Sequence, residues 1–258
     1  MSDSAPISAV VTTLSIIEAM ADYGEPIGVS DLAKIISANT PRTYRHLRTL
    51  VDQEYVMQDA DTDKYFLSLK LFHLGQSIAA NTSFVNEARK IMPSLRQQTG
   101  QTVSIGQVEE GGVRILEILK HRSDIEIATP PGTLFDFHSS AQGKVAMAFG
   151  PQSLLNKVAK KSLKRYTDHT CTDAESLRFE VAKVAQKGWA VAPEEALMGI
   201  NALAAPVFDA AGGLAGTITI VGSIQHLPAK PSTDVVAAVQ NAAAQVSARL
   251  GFLEAATA

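Results

Sequence analysis

The apolar residues Val10, Leu14, Ile17 and Met20 recur at spacings of three and four within "AVVTTLSIIEAMADYG". That spacing predicts a helix with one apolar face, stopped at Gly24. A second, short helix is expected after Ser30, an effective N-cap followed by Asp31 in the first turn, with Leu32, Ile35 and Ile36 turned inward. Thr40 is placed to cap a third helix, in which Pro41 takes the first helical position, where a missing N–H costs nothing. The period then shortens: "YVMQDADTDKYFLSL" alternates on both sides of the turn-forming "DADTD" and predicts two strands joined by a tight loop. Three helices followed by a hairpin is the order of a winged helix-turn-helix.

Helical spacing returns with Leu67, Leu71, Leu74 and Ile78, the apolar stripe of a connecting helix. The segment "AANTSFVNEARKIMPSLRQQTG" continues in helix, tolerates Pro93 only near a helix start or a kink, and stops at Gly100. From Thr102 the pattern is mixed. Strand pairs are expected around Gly111-Gly112 in "TVSIGQVEEGGVRILEIL" and around Gly212-Gly213 in "NALAAPVFDAAGGLAGTITIVG". Helical stretches lie between them, over 141–149, 151–161 and 173–187, and a last helix over 232–252 buries Val235, Val239, Ala242, Val246 and Leu250. The predicted division is a DNA-binding domain over 1–66, a linker helix over 67–82 and a second domain over 83–258, an α+β protein overall.

The 258 residues suffice for either one large core or two smaller ones. Charged residues make up 19% of the chain, and no apolar run approaches the roughly 18 residues that span a membrane. The start, "MSDSAPISAV", has no basic region before an apolar stretch and does not read as a secretory signal. A single cysteine, Cys171, has no internal partner, which fits a reducing compartment. A cytoplasmic location, with no membrane association, is the expectation.

Charge changes the picture at one place. The chain carries a formal net charge of -3, yet "RTYRHLR" puts Arg42, Arg45 and Arg48 with His46 into one stretch of the third helix. Within residues 1–60 the positives are Lys34 and these three arginines, against the acids Asp3, Glu18, Asp22, Glu25, Asp31, Asp52, Glu54 and Asp59. At about 100° per residue, Arg42, Arg45, Arg48 and Thr49 share one side, and Thr43, Leu47, Leu50 and Val51 share the other. The positive charge is aimed. Arginines can donate paired hydrogen bonds to guanine, and hydroxyls and a helix N-terminus can hold phosphates. The candidate DNA contacts are Ser30, Thr40, Pro41, Arg42, Thr43, Tyr44, Arg45 and Arg48, with Lys64 reaching from the wing.

Four blocks carry a resemblance: "LSIIEAMADYGEPIGVSDLAKIISANTPRTYRHLRTLVDQEYV", "KYFLSLKLFHLG", "GTLFDFHSSAQGKVAMAF" and "KGWAVAPEEALMGINALAAPVFDAAGGLAGTITIVG". In this order, over nearly the whole chain, they resemble the isocitrate lyase regulator (IclR) family of bacterial transcription factors. The resemblance implies an N-terminal winged helix-turn-helix, a linker helix and a C-terminal effector domain of GAF or profilin-like α/β fold. It also implies homodimers joined through the DNA-binding domains, often paired into homotetramers, on palindromic double-stranded operators.

The same resemblance places the effector pocket at Ile127, Phe135, Ser140, Ala141, Gln142, Ala192, Ile200, Ala202, Thr219 and Val221, with Ser223 as a further polar neighbour. A physical reason accompanies it: the helix opening in "HSSAQGK" offers unpaired N–H groups to a carboxylate, so an organic acid is the expected effector. Ala192 and Pro193 stand where the family often has an aspartate, Ala202 where many members have a cysteine, and Val221 at another polar position. Glu194, Glu195 and Gly199 keep the pattern. The replacement by methyls favours a larger, partly apolar acid, aromatic or acyl, over glyoxylate or pyruvate. His138 reads as a buried, hydrogen-bonded structural residue.

Competing classes find less in the sequence. Cys171 sits in the polar "DHTCTD" with His169 as a mere sequence neighbour, and no nucleophile elbow, phosphate loop or dinucleotide fingerprint occurs. The six histidines lack metal-ligand spacing, so neither metal nor cofactor is expected. A DNA-binding protein whose second domain only oligomerises is the alternative to an effector-controlled regulator.

Overall fold

A computed structural model describes residues 6–81, 83–121 and 129–253. The chain forms two compact units, Met1–Asn81 and Thr82–Ala258.

The first unit contains α1 (Ser8–Tyr23), α2 (Val29–Ile35), α3 (Thr40–Asp52), β1 (Val56–Gln58), β2 (Tyr65–Leu67) and α4 (Leu69–Asn81). Its core gathers Ile16, Met20, Leu32, Leu47, Leu50, Val56 and Tyr65. Ile27 completes it, exchanging both backbone hydrogen bonds with Tyr65 at 2.9 Å, which adds a bridge to the wing. Several local expectations shift by a residue or a face. On α1 the inward residues are Ile16 and Met20, whereas Val10 and Leu14 are half exposed. Helix α2 starts at Val29 behind an extended Gly28 with no side-chain cap, so Ser30 is an exposed first-turn residue; Ala33 is buried in place of Ile35. Helix α3 is capped by Asn39, whose Oδ1 accepts from the Arg42 N–H at 2.9 Å; Thr40 and Pro41 are its first two residues. Leu67 closes the wing strand, so α4 begins at Leu69.

The second unit opens with α5 (Ser83–Thr99), which holds Pro93 inside it, and continues with β3 (Thr102–Glu109), β4 (Gly112–Leu119), β5 (Leu134–Asp136) and α6 (Ala141–Phe149). It goes on through α7 (Ser153–Ala159), α8 (Ala174–Lys187), β6 (Ala190–Val191), β7 (Ile200–Phe208), β8 (Leu214–Ser223) and α9 (Thr233–Arg249). One antiparallel sheet runs β5-β4-β3-β8-β7-β6. Period-two alternation assigns its faces. Val103 and Ile105 of β3, Leu203, Ala205 and Val207 of β7, and Ile218 and Ile220 of β8 pack with α5 and α9. Ala190, Ala192 and Ala204 face Ala141, Val145 and Val184 of α6 and α8. The result is a layered α/β domain of GAF or profilin-like type. Small residues on the α6 side let that helix lie close; an ideal Cβ on Gly143 would come within 2.3 Å of the Phe137 carbonyl oxygen. Among the described residues no helix is long and apolar enough to cross a membrane.

Candidate functional site

Helix α3 is anchored on its inner side and open on the other. Leu47 and Leu50 enter the core. Thr43 is fully buried and donates to the Asn39 carbonyl at 3.1 Å, which removes it from the candidate DNA contacts. Arg42, expected to point outward, turns back to α1, its Nη2 donating to Ser8 Oγ at 2.6 Å, Thr12 Oγ1 at 3.0 Å and the Ser8 carbonyl at 3.4 Å. Beside it His46 Nδ1 lies 2.7 Å from Thr13 Oγ1. Burial, with help from the Arg42 and Arg45 charges, holds that imidazole below the ordinary histidine pKa. Tyr44, Arg45, Arg48 and Thr49 are exposed, as are Thr40 and Pro41 at the helix start, Ser30 on α2 and Lys64 at the wing. The outward-facing candidates on the body of α3 are therefore Tyr44, Arg45 and Arg48.

The second unit holds a cavity of about 100 Å³ between the sheet and the start of α6. Ser140 caps α6, accepting from the Gly143 N–H at 3.1 Å and donating to the Asp136 carbonyl at 2.7 Å. The N–H groups of Ala141 and Gln142 precede the first intrahelical acceptor and open the helix toward the cavity, at the positive end of its dipole. Of the residues singled out in the sequence, Phe135, Ser140, Ala141, Gln142, Ala192, Ile200, Ala202, Thr219 and Val221 line this cavity. Ile127 lies outside the described residues. Ser223 is not among the lining residues; its hydroxyl accepts from the Gln225 N–H at 3.3 Å.

The lining also includes Thr102 and Ser104 of β3, Ile115 and Ile118 of β4, and Ala196 and Leu197 after β6. These went unread. The alternation of "TVSIG" marks Thr102 and Ser104 as one face of a strand, yet a polar face ordinarily means solvent, and here it means a cavity. Ser104, Ser139, Gln142 and Thr219 are each buried, and their side chains hydrogen-bond to no described residue.

Behind the cavity, Lys144 of α6 is buried with its Nζ 2.6 Å from Glu195 Oε1 and 2.7 Å from Glu180 Oε2. Burial pushes Lys144 down, but the Glu195 and Glu180 carboxylates outweigh it and leave the ammonium above the usual lysine range. Burial raises Glu195, and its Oε2 has no hydrogen-bond partner. The backbone just before Glu195 is left-handed, with φ 57° at Glu194, whose Oε1 accepts from the Gly199 N–H at 2.8 Å. His138 is a structural residue as read: buried, with Nε2 2.8 Å from the Lys164 carbonyl and its ring stacked on Tyr166. Burial raises the Cys171 thiol, which disfavours a thiolate nucleophile there.

Two family domains match the chain: the IclR helix-turn-helix domain over residues 9–60 and the bacterial transcriptional regulator IclR C-terminal domain over residues 76–248. The chain belongs to the IclR family. This IclR regulator is 26% identical over 247 residues to the HTH-type transcriptional regulator KdgR of Escherichia coli strain K12, covering 95% of this chain and 94% of that protein. It is 28% identical over 227 residues to the glycerol operon regulatory protein of Streptomyces griseus, with 87% and 89% covered. An IclR-type regulator from Alicyclobacillus acidocaldarius shares its fold at a TM-score of 0.85 and 24% identity, over 96% of this chain and 100% of that one. An IclR homologue from Microbacterium hydrocarbonoxydans, solved with 4-hydroxybenzoate, does so at 0.84 and 20%, over 94% and 99%. This IclR-family protein is thus a DNA-binding transcriptional regulator.

Proposed function

We propose that this regulator binds a partly apolar organic acid in the cavity at the start of α6, and that the ligand changes its affinity for operator DNA. The observation that carries the reading is the cavity itself: an apolar wall of Ile115, Ile118, Phe135, Ala192, Ile200, Ala202 and Val221 faces a helix N-terminus and the polar side chains of Ser104, Ser139, Gln142 and Thr219. A carboxylate is stabilised at such a helix start, and the apolar wall suits an aromatic or acyl body. The 4-hydroxybenzoate bound by the fold neighbour supports this class of ligand. Coupling equals the difference in ligand affinity between the DNA-competent and DNA-incompetent states.

The oligomer we propose is a homodimer or homotetramer. Ile7 just before α1, Val10, Val11 and Leu14 in its N-terminal half, and Leu69, Phe72 and Leu74 of α4 leave apolar surface open in the single chain, as a self-association surface would. A two-fold protein suits a palindromic operator, and two recognition helices raise the affinity of one short reading strip.

Calorimetric titration with a panel of aromatic and short aliphatic acids tests the ligand class, and mobility shifts on duplex DNA selected in vitro test the coupling. Binding confined to the short acids, or bound acid that leaves DNA affinity unchanged, refutes the reading. Light scattering that finds only monomer refutes the oligomer.

A further inference from the structure

We propose that Lys157, Lys160, Lys161, Lys164 and Arg165 form a second DNA surface, one that grips the phosphates of duplex beside the operator without reading its sequence. It extends the DNA binding of the chain and is independent of the effector cavity.

Between Asp136 and Asp168 the chain contains no acidic residue, although its formal net charge is -3. The basic side chains of that interval are Lys144, buried on its two glutamates, and these five, which crowd into residues 157–165. All five are exposed. The local packing explains why. Leu154, Leu155, Val158 and Leu163 turn inward, onto the cluster that holds Leu177 and Val181 of α8, and the basic residues between and after them are left in water. Arg178 of α8, also exposed, joins the edge of the patch, its Nη1 donating to Asn156 Oδ1 of α7 at 2.7 Å.

Among the described residues no carboxylate lies within ion-pair distance of any of the five. Two acids close by are engaged elsewhere: Asp136 accepts from the Tyr166 hydroxyl, and Asp173 accepts from the Ser176 N–H at 2.7 Å to cap α8. Lys164 instead lies over the Tyr166 ring, 4.6 Å from its centroid, and Arg165 Nη2 donates to Thr172 Oγ1 at 3.2 Å. The fold does not need this charge, and like charges side by side repel. A duplex supplies the missing partner, since it presents a charge about every 1.7 Å of its axis and releases its own counterions on contact. Lysines outnumber arginine here, and a lysine is a compact point charge suited to phosphate, whereas base reading favours the planar guanidinium fork. Such a surface positions DNA and carries no sequence preference. Duplex held by the first unit is tethered to the second, so contacts too weak to bind alone still add to affinity.

The test uses the full-length protein and an operator selected in vitro, on a short duplex holding the operator alone and on a long one carrying it between random flanks. Fluorescence anisotropy over a salt series compares the wild type with the quadruple variant Lys157→Gln, Lys160→Gln, Lys161→Gln and Lys164→Gln. The double variant Lys183→Gln and Lys187→Gln, which removes charge elsewhere on the same domain, is the control, and circular dichroism checks each fold. The wild type should bind the flanked duplex more tightly and with a steeper salt dependence, by about 0.9 in log–log slope for each phosphate contacted. The quadruple variant should lose that gain and keep its affinity for the short duplex, and the control should retain both. Acetylation of the wild type by an N-hydroxysuccinimide ester, read by mass spectrometry, should show Lys160, Lys161 and Lys164 protected by the flanked duplex. Equal salt slopes on the two duplexes, a gain that the quadruple variant retains, or a gain that the control loses equally overturns the proposal. So do lysines that stay unprotected on the flanked duplex, a result that needs no variant to fold.

Discussion

Lys144 and Glu195 form a 2.6 Å ion pair with both side chains almost wholly shielded from solvent. Lys144 follows the α6 turn that opens on the cavity, and Glu195 lies between Ala192 and Ala196 on the wall opposite. The pair ties the two walls together. Removing one member strands a buried charge, so Lys144→Met is expected to lower stability in guanidinium unfolding by about 3–5 kcal/mol. Lys144→Met with Glu195→Leu should recover most of that loss, since the remaining Glu180 is 40% exposed and can stay hydrated. A double variant no more stable than the single one would show that the pair is not the source of the cost.

Arg42 and Arg45 divide their work. Arg45→Ala is expected to weaken operator binding by about ten- to a hundredfold, the value of a bidentate base contact, with the thermal midpoint nearly unchanged. Arg42→Ala instead removes three hydrogen bonds to α1 and should lower the midpoint of the first unit before any effect on base preference. Fluorescence anisotropy on operator and scrambled duplexes, beside thermal melts, separates the two; a melt unaffected by Arg42→Ala contradicts the strut role.

His46 sets a pH response. Its imidazole is held below the ordinary value of 6.5 by burial and by the neighbouring arginines, so the folded unit favours the neutral ring. The unfolded chain takes up its proton first as pH falls. The stability it contributes is therefore present above about pH 6.5 and lost as pH drops through the lower folded value. A proton-resonance titration should show a midpoint below that of a free histidine, and His46→Gln should flatten the acid limb of the stability curve.

Gly143 is the position where α6 passes closest to its own approach segment. An added methyl would meet the Phe137 carbonyl oxygen, Cα and carbonyl carbon at 2.3, 2.5 and 2.7 Å, all of them backbone. Gly143→Ala is expected to cost about 1–3 kcal/mol and to displace the helix start that faces the cavity. Unfolding and acid titration should fall together. Unchanged unfolding with native binding would mean that the backbone yields freely there.

The sequence by itself determined most elements and their order. The caps at Ser140, Asp173 and Ser232, the stop at Gly24 and the hairpins at Gly111-Gly112 and Gly212-Gly213 are local choices, made by side chains within a few residues of the backbone groups they satisfy. Nine of the residues that the resemblance points to line the cavity. Only the tertiary structure decided which polar residues face a neighbour rather than water. Periodicity reports the side of an element on which a residue lies, but coverage depends on elements far away in the chain. Thus Arg42 is drawn back by Ser8, Ser104 opens on a cavity whose helix begins 37 residues later at Ala141, and Lys144 is buried because Glu195, 51 residues on, supplies its counter-charge.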